Sequence, residues 1–225
     1  MKRKTVICIL VFLLVLAVFS GVAIWQWNNI TAIRYAVTYT PEKRQEMIEE
    51  TKRVMKQISE EYSDVDFSKL PDEGVAMLSK GELSEEVAVA VLSGEITWEE
   101  AKKQPMTLPQ SSQITSEQKS RVDEIIAKIY VLRSGYTGKI DSLVGQALSD
   151  YRAKKGTKRE LMNKYISMGY ALQGECDSQM ESLLSELSAE LKRTGGDMTL
   201  ISQIRSAYQT EKSLKKAEII GKYQK

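Results

Sequence analysis

Five cations stand within eight residues of this chain: Arg152, Lys154, Lys155, Lys158 and Arg159. Lys and Arg this densely packed do electrostatic work, and the chemistry they suit is binding to an anionic surface. An anionic wall polymer, lipid headgroups or an acidic protein would serve as that surface. The acidic 72–100 segment of a second copy is one such protein surface.

Catalytic chemistry finds little to build on. The chain has no His, which removes the commonest general base and the commonest metal ligand together. A Ser-His-Asp set is therefore excluded. No Ser sits in a recognisable nucleophile turn for a Ser-Lys pair. Gly135 and Gly138 lack the preceding strand that a phosphate-cradling loop requires. The acidic pairs Glu85/Glu86 and Glu99/Glu100 fall in first helical turns, where the helix dipole accounts for them. A thin helical rod offers no cleft for paired glycosidase carboxylates. The two Cys, Cys8 and Cys176, are too few for a metal site. Cys176 lies on an apolar stripe and reads as a buried, inert thiol, with an intermolecular disulfide as the alternative. The expectation is a protein without catalytic activity, without cofactor and without metal.

The elements that must hold the basic cluster are helical. Ala, Leu, Ile, Glu, Lys, Ser and Gln are common, while Phe numbers three and Pro four. The expected fold class is all-α: an N-terminal transmembrane helix, then short helices, then a long antiparallel hairpin with a third helix in a coiled-coil-like bundle.

The transmembrane expectation rests on Thr5 to Trp25, 21 residues without a charge. At about 1.5 Å per residue this stretch matches the roughly 30 Å of a bilayer's hydrocarbon core. Lys2, Arg3 and Lys4 precede it and favour a cytoplasmic amino end. Trp25 and Trp27 fall where an interfacial aromatic belt belongs. Segment 1–4 reads as a cytoplasmic basic segment and 5–27 as a single-pass signal anchor. The rest of the chain is then extracytoplasmic. A cleavable signal peptide is the rival, but its apolar core usually runs only about 7–15 residues.

Residues 28–104 read as a membrane-proximal acidic helical region. Residues 28–110 carry 10 Lys/Arg against 16 Asp/Glu, whereas 111–225 carry 19 against 14. The first helix continues to about Thr38, and Thr40-Pro41 starts a second one, with Thr40 as N-cap. Two short repeats follow, VAMLSKGELSEE at 75–86 and VAVLSGEITWEE at 89–100. In each, a Gly (Gly81, Gly94) ends a helix in the left-handed conformation, and Ser84 or Thr97 caps the next. Three short helices over 72–104 result. Segment 105–114, with Pro105, Pro109 and a polar cluster, reads as a linker.

Segment 115–225 carries the hairpin, the third helix and the basic pole. Thr115 with Gln118 and Thr157 with Glu160 are capping boxes that start its two long helices. Val122, Ile126, Ile129, Arg133, Tyr136, Ile140, Leu143, Ala147 and Tyr151 form one stripe. Leu161, Tyr165, Met168, Leu172, Cys176, Met180, Leu183, Leu187 and Leu191 form the other. Gly156 stops the first helix, Thr194-Gly195-Gly196 the second, and Asp197 caps the third. Lys212, Lys215, Lys216, Lys222 and Lys225 on the third helix are expected to join the basic pole.

These features predict a membrane-anchored extracytoplasmic helical scaffold or protein-interaction protein. The alternatives are a signal-cleaved secreted helical binding protein and an accessory subunit of a transport, secretion or envelope complex. The expected partners are the lipid bilayer and another envelope protein or a second copy. Nucleic acid is not expected, because the basic pole faces away from the cytoplasm.

Overall fold

The computed structural model describes residues 30–108 and 121–223. Within them every element is helical: a helix over 30–38 (α1), α2 (Pro41–Tyr62), a 3-10 turn (Phe67–Lys69), α3 (Asp72–Lys80), α4 (Glu85–Leu92), α5 (Trp98–Lys103), α6 (Arg121–Arg152), α7 (Lys158–Thr194) and α8 (Thr199–Tyr223). The described residues adopt the expected all-α class. Among the described residues no helix is long and apolar enough to cross a membrane. The expected span 5–27, with Lys2, Arg3, Lys4, Trp25 and Trp27, lies outside the described residues, as does the Thr115–Gln118 capping box.

The chain divides into two compact units, Met1–Arg53 with Ser206–Lys225, and Val54–Arg205. In the first, the guanidinium of Arg44 donates to the carbonyls of Ala36 and Tyr39 at 3.0 and 2.9 Å. It thereby satisfies carbonyls that the end of α1 leaves open. Gly221 of α8 makes room for it, since a Cβ there would lie 2.6 Å from the Arg44 Nη2. Thr40 caps α2, its Oγ1 accepting from the Lys43 amide at 3.3 Å.

In the second unit α6 and α7 form an antiparallel hairpin, and α3 and α4 pack against α6. The helix ends follow from local chemistry. Gly81 and Gly94 take φ of 73° and 72°, the left-handed region where a side chain is penalised. Ser84 accepts from the Val87 amide, and Thr97 with Glu100 closes a full capping box. Gly195, at φ 72°, ends α7, and Asp197 accepts from the Thr199 amide at 2.8 Å to start α8. Tyr62 donates to the same Asp197 at 3.1 Å.

Gly135 and Gly138, two of the three glycines of α6, leave it unbroken, as the constant phase of the apolar positions predicts. They serve packing. A Cβ on Gly138 would lie 1.8 Å from the Ser79 Oγ and 2.2 Å from its Cβ, and one on Gly135 would touch Leu78. With no side chain at either position, α3 rests directly on the α6 backbone.

The core sits in the half of the hairpin away from its turn. Ile125, Ile126, Ala127, Ile129, Val131 and Leu132 are all buried on α6, far more than one stripe. The reason is that α7 covers one face of this half while α3 and α4 cover another. Asp123 is buried too, and accepts from the Asp64 amide at 3.1 Å. On α7, Leu184 is buried where the stripe placed Leu183, which is half-buried, and Met168 is exposed rather than packed. Cys176 is buried, as expected of an inert thiol.

The third helix forms, but only its first turns group with the hairpin; from Ser206 onward it belongs to the other unit.

Candidate functional site

The basic cluster sits on the turn that closes the hairpin. α6 ends with paired backbone bonds: Lys155 N–H to the Asp150 carbonyl at 3.0 Å and Lys154 N–H to the Tyr151 carbonyl at 3.1 Å. This is the six-to-one and five-to-two pattern of a Schellman ending. The residue in the left-handed conformation is Lys154, with φ 53°, not Gly156. Gly156 was the expected stop; the helix stops two residues earlier, at a side chain that pays a steric penalty of about 1 kcal/mol there. Thr157 then opens α7 through the expected capping box: its amide donates to Glu160 at 2.8 Å and its Oγ1 accepts from the Glu160 amide at 3.3 Å. The Thr157 amide and hydroxyl, both donating to the Glu160 carboxylate at 2.8 Å, hold its pKa below the ordinary value.

Arg152, Lys154, Lys155, Lys158 and Arg159 are all exposed. One of them has a partner. Lys155 Nζ lies 2.8 Å from Asp150 Oδ1. Asp150 also accepts from the Tyr165 hydroxyl at 2.6 Å and faces Lys164 Nζ at 3.6 Å. Its bonds to Lys155 and Tyr165 bring its pKa down to about 2. Asp150 is thus the clamp of the tip, tying the end of α6 to the turn and to the first turns of α7. The same bonds raise the pKa of Lys155 and of Tyr165. Arg152, Lys154, Lys158 and Arg159 make no ion pair among the described residues. They present positive charge to solvent.

The tail cations Lys212 and Lys215 have neighbours of their own. Lys212 is buried, with its Nζ 5.0 Å from the Tyr208 ring, and Lys215 pairs with Glu218 at 3.2 Å. Both belong to the other unit. The side chains of Lys222 and Lys225 lie outside the described residues.

The stripe reading missed Asp150, Lys164 and Tyr165 as parts of the tip. It also missed an exposed apolar strip beside the cations. Met162, Ile166 and Tyr170 are 50%, 50% and 54% exposed, and Tyr151 is 55% exposed. The spacing of the first three, four residues apart, was readable, and so was the absence of any Asp or Glu from 161 to 174.

A second feature is an open groove of about 730 Å³ among α4, α6 and α7, lined by Glu85, Glu86, Arg121, Glu124 and Lys128 with a floor of Val89 and Leu132. Its charges are largely spent on one another. Glu124 is bridged by Arg121 and Lys128, and Arg121 also reaches Glu186 at 3.1 Å. Those two bridges lower the Glu124 pKa against the opposing effect of burial. No group of His, Cys, Asp and Glu suited to a metal ion occurs among the described residues. Comparisons with protein families, curated proteins and solved structures find no match for this chain.

Proposed function

We propose that this chain is a membrane-anchored extracytoplasmic helical scaffold, without catalytic activity, that presents a basic hairpin tip to an anionic partner. Residues 5–27 are the anchor in this reading, with Lys2, Arg3 and Lys4 cytoplasmic and Trp25 and Trp27 at the outer interface. Arg152, Lys154, Lys155, Lys158 and Arg159 are the contact. The observation that carries it is the turn itself: four exposed cations without ion pairs among the described residues, held by a Schellman ending on one side and a capping box on the other. Clustering like charges opposes folding, so a turn that keeps them together and exposed suits them to an external anion.

The test is topological first. Ser185, exposed on α7, is replaced by Cys in a Cys8→Ser background, leaving Cys176 buried. Intact cells are treated with a membrane-impermeant maleimide. A labelled, full-length, membrane-retained chain is the expected result. A labelled but shortened and soluble chain would make it a secreted binding protein. Labelling only after lysis would overturn the extracytoplasmic assignment.

A further inference from the structure

The cations of the tip do not stand alone. Lys158 and Arg159 lie four and three residues before Met162, and Met162, Ile166 and Tyr170 follow at four-residue steps. Residues so spaced share one side of a helix. That side of α7 therefore begins with two unpaired cations and continues with three large apolar side chains, each about half exposed. Of the twelve large apolar side chains exposed among the described residues, five fall between 151 and 170.

We propose that the hairpin tip docks on an anionic lipid surface, with Met162, Ile166 and Tyr170 entering the interfacial layer while Lys158, Arg159, Arg152 and Lys154 contact headgroup phosphates. This deepens the function proposed above and rests on its basic-tip reading. An apolar strip flanked by cations is the composition that partitions into a charged interface. A polyanionic wall polymer would satisfy the cations and leave the strip in water. A second copy fits worse. Side by side, its Lys158 and Arg159 would meet their own counterparts, and end to end they would meet a stretch, 161–174, with no carboxylate to receive them. The acids of the tip are already engaged, Asp150 by Lys155 and Tyr165 and Glu160 by the Thr157 amide and hydroxyl.

The experiment uses the full chain, with Cys8→Ser and Cys176 left buried. An environment-sensitive fluorophore is placed at Ile166→Cys and, separately, at Ala171→Cys. Five residues further on, Ala171 sits about 140° round the same helix. Each labelled chain is reconstituted with phosphatidylcholine vesicles carrying spin-labelled lipid, with or without phosphatidylglycerol. The expected result is quenching at 166 and not at 171, only with phosphatidylglycerol, and reversed by salt. Lys158→Gln with Arg159→Gln should lower the ratio of docked to free tips on the order of 25-fold, about fivefold per cation. Three results would each overturn the proposal: no quenching at 166 in any vesicle, quenching indifferent to phosphatidylglycerol, or a shift at 166 that depends on protein dilution and not on lipid. The last would assign the strip to a second copy. Circular dichroism of each variant guards against misfolding. Retention and size of the chain in the same vesicles report the anchor separately, so docking and anchoring fail distinguishably.

Discussion

Replacing Gly138 by Ala should destabilise this protein, although helix propensity alone says the reverse. In a helix interior Gly→Ala gains about 1 kcal/mol. Gly145 and Gly174, where a Cβ would meet nothing within 4 Å, should show that gain. At Gly138 the new Cβ would lie 1.8 Å from the Ser79 Oγ, 2.2 Å from its Cβ and 3.4 Å from its Cα. Turning the hydroxyl away, at the loss of its 2.8 Å bond to the Val75 carbonyl, removes only the first of these clashes. The Ser79 Cβ is fixed to the backbone, so α3 must retreat by more than about 1 Å to restore a carbon–carbon contact of roughly 3.5–4.0 Å. Retreat also loosens Leu78, which is 4% exposed. Overpacking of this kind costs about 1–3 kcal/mol, and set against the propensity gain it leaves a net loss of up to about 2 kcal/mol. Thermal unfolding of the full chain in detergent, followed by circular dichroism, reads this as a drop of about 2–4 °C per kcal/mol for a chain of this size. Ser79→Gly should rescue Gly138→Ala, because the nearest remaining atom is then the Cα at 3.4 Å. The coupling in that double-mutant cycle is the direct measure of the contact. Gly138→Ala that stabilises as much as Gly145→Ala would refute the close packing of α3 on α6.

Four further outcomes are expected. Lys154→Gly should raise stability by about 1 kcal/mol by relieving the left-handed backbone, while weakening anionic binding; a fall in melting temperature would show that the turn is not built this way. Thr157→Ala removes a helix cap and should lose about 1 kcal/mol, measured by urea unfolding. Leu187→Ala, at a fully buried position, should lose about 2–5 kcal/mol in the same assay. Asp150→Asn should separate from the parent chain in a pH-dependent way. The folded pKa of Asp150, about 2, lies below the roughly 3.9 of an unfolded Asp. Its contribution is therefore fully present above about pH 4 and fades as pH falls towards 2. Melts from pH 6 to 2 should show the two proteins converging at the acid end, and a constant gap would exclude the carboxylate as the clamp.

The helix boundaries were legible because they are local. Gly81, Gly94, Ser84, Thr97, Thr157 and Gly195 act within a few residues of themselves, and each ends or starts the helix expected of it. The stop at the tip was misplaced for an equally local reason. Gly156 offers the cheaper left-handed residue, yet Lys154 takes it, and nothing in the sequence marks a Lys for that role. What packs on what was harder to read. A single stripe describes a helix with one neighbour, and α6 has that arrangement only near its turn. Elsewhere α3 and α4 add a second buried face, so Ile125 and Val131 are interior although they stand off the stripe. The same blindness hid the purpose of Gly138, since its partner Ser79 is nearly sixty residues away. The tip cations were plain in the sequence; their clamp, Asp150, was not, because a lone acid at a helix end has no distinguishing pattern.

The two halves of the hairpin divide the labour. In the covered half, buried aliphatic residues and helices resting on glycine supply the stability of the unit. In the half near the turn, α6 and α7 have mainly each other, and apolar side chains that a third helix would cover stand in water. A left-handed Lys and five clustered cations are both unfavourable to folding, and both fall in this half. Strain and exposed charge collected at one site, away from the elements that stabilise the fold, mark a surface shaped for something other than stability. The consequence is separable: changes at Lys154, Lys158, Arg159 or Ile166 should alter what the tip binds with little loss of fold, whereas changes at Gly138 or Leu187 should do the opposite. A variant set in which binding and stability fell together at both ends of the hairpin would reject this division.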